Sequence, residues 1–134
     1  MEQDKNLIIN KAIEKSKEAF SAAEENYISK HFDTCQNRLY YAIFYIVSAL
    51  AYKDDFITSK HAQLMGWFNK KYIHDEKIFD TKLFAIYKEA FTNRQLSDYD
   101  FIYKPNPEDL FVMIKDVKDF ITEIDKYLQQ KSGS

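Results

Sequence analysis

Leu39-Tyr40-Tyr41-Ala42-Ile43-Phe44-Tyr45-Ile46-Val47 is a run in which every side chain is apolar or aromatic, and it continues through Ser48 to Tyr52. Its β-branched residues are too few, and the run is too long, for a strand. A helix that is apolar almost all round is central to a fold and buried on most sides, or buried partly in a subunit interface. Lys53-Asp54-Asp55 closes the run. At its start, Asp33 reads as an N-cap with Gln36 three residues on as its capping-box partner. The prediction is a helix over about 34–53. The apolar stretch is too short to cross a bilayer.

Upstream, Ile9, Ile13, Ser16, Phe20, Ala23 and Tyr27 recur at alternating steps of four and three, one stripe of an amphipathic helix over about 4–30. Downstream, Thr58 or Ser59 can cap a helix running to about Ile73. Gly66 inside it costs about 1 kcal/mol relative to alanine and suggests close approach of another backbone. His74 to Phe79 reads as a loop. Asp80 then caps a helix whose Leu83, Phe84, Tyr87, Ala90 and Phe91 fit a 3.6 period. Residues 95–106 carry no periodicity. Asn106 followed by Pro107 is a helix start, and Leu110, Ile114, Val117, Ile121, Ile124 and Leu128 form the stripe that follows, up to about Gln130. The tail Lys131-Ser132-Gly133-Ser134 reads as frayed. The expected fold is all-α: an antiparallel up-and-down bundle of four long helices plus one shorter helix, in a single domain over 1–134 with its core in about 5–129.

Composition agrees with this and excludes several classes. A length of 134 residues leaves no room for a second core. Two glycines and two prolines could not serve the turns of an all-β domain, nor build a glycine-rich phosphate loop. A net charge of −2 argues against wholesale electrostatic binding of nucleic acid, so any such contact must come from a local patch. Cys35 stands alone, which excludes an internal disulfide, and its place at the edge of the apolar run suits a core position. His31, His61 and His74 lack metal-ligand spacing, so no metal and no cofactor is expected. The N-terminus lacks a secretory apolar core, and the expected location is cytoplasmic with no membrane partner.

The cations are unevenly chosen. Seventeen are lysines and two are arginines, Arg38 and Arg94. A planar, permanently charged guanidinium suits phosphate or carboxylate. Each arginine follows an asparagine and lies beside aromatics. Two roles fit: a phosphate-facing group, or a buried arginine–carboxylate brace between helices. After Arg94, Gln95-Leu96-Ser97-Asp98-Tyr99-Asp100 adds a hydroxyl, carboxylates and a phenol. The cluster could hold a sugar-phosphate, or be a helix C-terminus with the arginine well placed on the dipole. The many tyrosines and phenylalanines fit core positions better than base stacking, although Tyr40, Tyr41 and Tyr45 need hydroxyl partners if buried.

Asn37-Arg38-Leu39-Tyr40-Tyr41-Ala42-Ile43-Phe44 resembles the N-R-x-Y-Y-A-x-F signature of a branch of the HEPN family, the higher eukaryotes and prokaryotes nucleotide-binding domain. Ser59-Lys60-His61 resembles the step that opens the next helix of that branch, and Arg94-x-x-Ser97-Asp98-Tyr99 resembles its R-x-x-A/S-D-Y step. The resemblance covers about residues 5–129. It implies a helical bundle that forms a homodimer, and a place in a prokaryotic toxin–antitoxin or phage-defence system beside a nucleotidyltransferase antitoxin. In catalytic members an arginine and a histidine, spaced R-x4-6-H, cleave RNA without a metal. Arg94 matches the arginine, but the window after it, 99–101, reads Tyr-Asp-Phe and holds no histidine. His61 could be donated to the same cleft from helix three.

The resulting expectation is a nucleotide- or RNA-binding module, with a metal-independent ribonuclease and a non-catalytic protein-interaction subunit as alternatives. The candidate catalytic residues are Arg94, Asp98 and Tyr99, with Tyr99 a modification site by analogy. The candidate nucleotide- or phosphate-binding residues are Asn37, Arg38, Tyr41, Lys60 and His61.

Overall fold

Small side chains decide how the first two helices meet. In a computed structural model that describes residues 2–132, α1 (Glu2–Ile28) and α2 (Phe32–Lys53) form a hairpin. Ala12, Ser16, Ala19 and Ala23 are buried on α1. Without bulk at those positions the backbones approach closely enough for the Ser16 hydroxyl to donate to the Ala42 carbonyl at 2.6 Å. The chain continues through α3 (His61–Phe68), extended by a π-helical turn (Asn69–Asp75), to α4 (Thr81–Tyr99) and α5 (Pro107–Ser132). No strand occurs among the described residues.

α2 is the central element, packed against α1, α3, α4 and α5. Leu39, Ile43, Ile46, Val47 and Leu50 are fully or almost fully buried, as is Cys35. Burial pushes the Cys35 thiol up to about 11, so it stays protonated as core filler. One side of α2 is less covered: Asn37, Tyr41, Phe44, Tyr45 and Ser48 are half-buried and Tyr52 is exposed. Under α2, Phe68 packs on Tyr72, Phe79, Tyr87 and Phe120 with ring centroids 5.7–6.1 Å apart. Each such buried aromatic contributes about 1.5–3 kcal/mol by removing its surface from water. At the far end of α2, Asp54 accepts hydrogen bonds from Lys53 at 2.8 Å and from the Tyr72 hydroxyl, with Lys71 at 3.1 Å.

Several local expectations change. The first helix starts at Glu2 and ends at Ile28 rather than spanning 4–30. α2 begins at Phe32 with His31 in the cap position and no side-chain cap, so Asp33 and Gln36 form no capping box. Gln36 is buried instead and donates to the Asn93 carbonyl at 3.0 Å and to Ser97 Oγ at 2.6 Å on α4. A tertiary demand for a buried amide outweighs a local cap. The same bonds hold residues 95–99 in α4, where periodicity was absent. Neither Thr58 nor Ser59 takes the cap position of α3, which falls to Lys60; the Thr58 hydroxyl accepts from the Lys60 N–H one step outside. His74 and Asp75 lie in the π-helical turn rather than in a loop. Gly66 is exposed and an added Cβ would meet nothing within 4 Å, so no backbone approaches it. Helix α5 runs through Lys131 and Ser132, so that part of the tail is helical; Gly133 and Ser134 lie outside the described residues.

The other caps hold. Asp80 accepts from Lys82 N at 2.8 Å, and Asn106 accepts from Glu108 N and Asp109 N at 2.8 and 3.1 Å. With so few glycines, the turns after α1, α2 and the π-helical turn place Lys30, Asp55 and Lys77 at positive φ. Among the described residues, no helix is long and apolar enough to cross a membrane.

Candidate functional site

The less covered side of α2, the first residue of α3 and the last turns of α4 meet in one place. α2 presents Asn37, Arg38, Tyr40, Tyr41 and Phe44 there at helical spacing. His61 begins α3 and Arg94 lies late in α4. The guanidinium of Arg94 lies 5.0 Å from the Tyr40 ring centroid and 5.3 Å from that of Tyr41. Arg38 approaches the same Tyr41 ring at 5.1 Å. The chain's two arginines therefore converge on one tyrosine.

His61 lies against Arg94 and the same aromatic stripe. Its ring stacks on Phe44 at 4.3 Å and on Tyr40 at 5.8 Å, with Tyr41 edge-on at 6.0 Å. Its Nδ1 lies 2.8 Å from the Tyr40 hydroxyl and 3.4 Å from Arg94 Nη1. Burial first, and the Arg94 charge second, hold the imidazole pKa below its ordinary value. Burial pushes the Tyr40 phenol up to about 12, an effect that Arg94 partly offsets. Around neutral pH the cluster thus contains a neutral imidazole, a protonated phenol and permanent guanidinium charge.

Among the described residues, no buried carboxylate neutralises either arginine. Arg38 takes Asn37 Oδ1 as acceptor for Nε and Nη2, at 3.3 and 3.0 Å. Arg94 Nε comes within 3.3 Å of Asp98 Oδ2, a partly exposed carboxylate one turn along the same helix. The contact meets the distance for an ion pair but lacks hydrogen-bond alignment, so the buried Nε–H has no acceptor among the described residues. Hydrogen bonds weaken steeply off-axis, so proximity to Asp98 does not satisfy this donor. A brace between helices is not what this geometry makes. It leaves cationic donors beside aromatic faces, an arrangement suited to a phosphate with an adjoining base.

Of the residues singled out from sequence, Asn37, Arg38, Tyr41, His61, Arg94 and Asp98 are gathered here. Tyr99 is 82% exposed at the end of α4 and joins none of these contacts. Lys60 is exposed at the cap position of α3. Tyr40 and Phe44 had no assigned role in the site, yet they hold His61. Their signal was present, since positions four apart on α2 share a face. A cleft of about 330 Å³ between α1 and α2, lined by Lys11, Lys15, Tyr45 and Tyr52 among others, adjoins the site through Phe44. No group of three or more histidine, cysteine, aspartate or glutamate side chains among the described residues could hold a metal ion.

Comparison with known proteins gives a concordant result. A family model described as the HEPN domain matches residues 9–127. A protein of Methanocaldococcus jannaschii, named as a candidate toxin, is 31% identical over 124 residues, covering 92% of this chain and 84% of the relative. A UPF0332 protein of Thermotoga maritima is 26% identical over 126 residues, 94% of this chain and 95% of its own length.

Proposed function

The chain belongs to the HEPN domain family, and on that premise we propose that it is a nucleotide- or RNA-binding module of a prokaryotic toxin–antitoxin or defence system, acting as a homodimer with a nucleotidyltransferase partner. The observation that carries the proposal is the convergence of Arg38 and Arg94 on Tyr41, beside His61, with no buried carboxylate among the described residues to neutralise them. Guanidinium groups of this kind grip a phosphodiester, and the aromatic faces accept a base. The relative named as a candidate toxin supports the toxin assignment. The half-buried aromatic stripe of α2 supports the homodimer, since a surface of that kind gains by being covered.

The binding test is fluorescence anisotropy with a labelled single-stranded RNA, and calorimetry with AMP. Loss of one charge-assisted contact in Arg94→Ala should weaken binding by about tenfold or more. Equal affinity of wild type and variant would reject the site. Copurification with a coexpressed nucleotidyltransferase tests the partner.

A second reading is a metal-independent endoribonuclease. It is favoured by the 3.4 Å approach of Arg94 to His61, which brings from α3 the histidine missing after Arg94. The RNA 2′-oxygen would bond to phosphorus and lose its proton to a base, while the P–O5′ bond breaks and the leaving oxygen gains a proton. Arg94 would stabilise the charge on the pentacoordinate phosphorus. Asp98 would take the 2′ proton and His61 would give one to the leaving oxygen, while Tyr99 stands outside these contacts. Growth arrest with new RNA ends, both lost in Arg94→Ala, would establish cleavage. Healthy cells with intact RNA at confirmed expression would return the assignment to binding.

A further inference from the structure

His61 Nδ1 faces two donors at once. Arg94 is a donor only, because a guanidinium has no lone pair to offer. Its Nη1 at 3.4 Å therefore requires Nδ1 to be the bare, accepting nitrogen. The Tyr40 hydroxyl at 2.8 Å makes the shorter contact with the same atom, and with Nδ1 bare it must donate. A proton on Nδ1 would set N–H against N–H toward Arg94. Turning the ring over would put Cδ2 in place of Nδ1 and lose both contacts, and the stacking of Phe44 at 4.3 Å and of the fully buried Tyr40 at 5.8 Å opposes it. Nε2 has no hydrogen-bond partner among the described residues.

We infer that Arg94, which can only donate, fixes His61 as the Nε2–H tautomer and sets the Tyr40 hydroxyl as a second donor to Nδ1, so that the imidazole presents a proton donor to a phosphate oxygen. The inference deepens the phosphate-binding reading and rests on it for the identity of the ligand, though not for the tautomer. A neutral imidazole with its proton on Nε2 has no lone pair at that nitrogen with which to accept a proton. In this state His61 complements Arg94 as a second donor and does not serve as the base for a 2′-hydroxyl. The raised pKa of the Tyr40 phenol and the lowered pKa of the imidazole are consistent with both groups holding these protonation states near pH 7.

The test is long-range proton–nitrogen NMR of the ¹⁵N-histidine-labelled full chain near pH 7.5, without ligand. Expected in wild type is a His61 pattern with the proton on Nε2 and a bare Nδ1. In Arg94→Ala the ratio of that tautomer to the other should fall about fivefold, the net worth of one hydrogen bond. In Tyr40→Phe the ratio should hold, because the phenol can pair with either tautomer. The Nδ1–H pattern in wild type overturns the inference, and that measurement needs no variant. An unchanged ratio in folded Arg94→Ala overturns the role of Arg94. A 2′-O-methylated single-stranded RNA, added afterwards, tests the separate binding reading: failure to shift the His61 Nε2 proton would count against RNA at this site and leave the tautomer result standing.

Discussion

Replacing Arg94 with alanine separates a binding arginine from a structural brace through stability alone. The losses follow from the contacts. The i,i+4 pair with the partly exposed Asp98 is worth about 0.3–0.5 kcal/mol. The approaches to Tyr40 and Tyr41 are worth about 0.5–1 kcal/mol each. Against these, the variant removes a buried Nε–H without an acceptor, a cost of about 1–3 kcal/mol. It also removes a positive charge that disfavours protonation of His61. The hydrogen bond to His61 adds a loss of about 0.5–1.5 kcal/mol, and the central values leave a net loss of about 1 kcal/mol, a Tm change of a few degrees. A buried arginine–carboxylate brace would instead lose about 3–5 kcal/mol. The assay is urea unfolding of wild type and variant, read as the midpoint at constant m. The pH dependence adds a signed check. The folded-state pKa of His61 is lowered below the unfolded value of about 6.5. Between those two values the unfolded chain binds more protons, so this contribution is complete above about pH 6.5 and is lost as pH falls toward the folded pKa. Removing the Arg94 charge shrinks that loss, so the wild-type advantage should be smaller near about pH 5.5 than near about pH 8. A loss of 3 kcal/mol or more, about the smallest expected of a severed buried pair, would refute the reasoning.

Three further outcomes are expected. Burial alone would raise the Asp54 pKa, but hydrogen bonds from Lys53, Tyr72 and Lys71 outweigh it and hold the carboxyl below its ordinary value; wild type should lose stability as pH falls below about 4, and Asp54→Asn should flatten that acid limb in a pH series of thermal melts. Gly66→Ala, in an exposed helical position with open space around the new methyl, should stabilise by about 0.5–1 kcal/mol in chemical unfolding, and any destabilisation would contradict the open geometry. The Tyr87 hydroxyl is buried with no partner among the described residues, so Tyr87→Phe should be neutral or stabilising by up to about 1–3 kcal/mol in calorimetric melts; a clear loss would reveal a bonded hydroxyl.

Legibility from sequence followed the range of the interaction responsible. Asp80 was readable as a cap, and Asn106-Pro107 as a helix start, because these signals join groups only two or three residues apart. Gln36 was misread for the opposite reason: its partners Asn93 and Ser97 lie on α4, and only packing shows that a buried amide is required there. The shift from α to π geometry after Phe68 left no mark in the apolar pattern, which carries on through Tyr72 and Ile73. In the site, the scarcity of arginine singled out Arg38 and Arg94, and motif spacing singled out His61, which the sequence could only offer as a donation from helix three. The meeting of both arginines on Tyr41 could not be read, nor could the place of Tyr40.

The sequence by itself determined the helical bundle, its central helix and the residue types available for a phosphate, because periodicity, capping and donor chemistry are properties of a local stretch of chain. The tertiary structure alone decided that His61 joins Arg94, that Tyr40 supplies its hydrogen bond, and that Tyr99 stands apart. Those positions are separated by a turn and by whole helices. Their distances are fixed by how α2, α3 and α4 bury their apolar faces against one another, a global packing solution that no short window of residues contains.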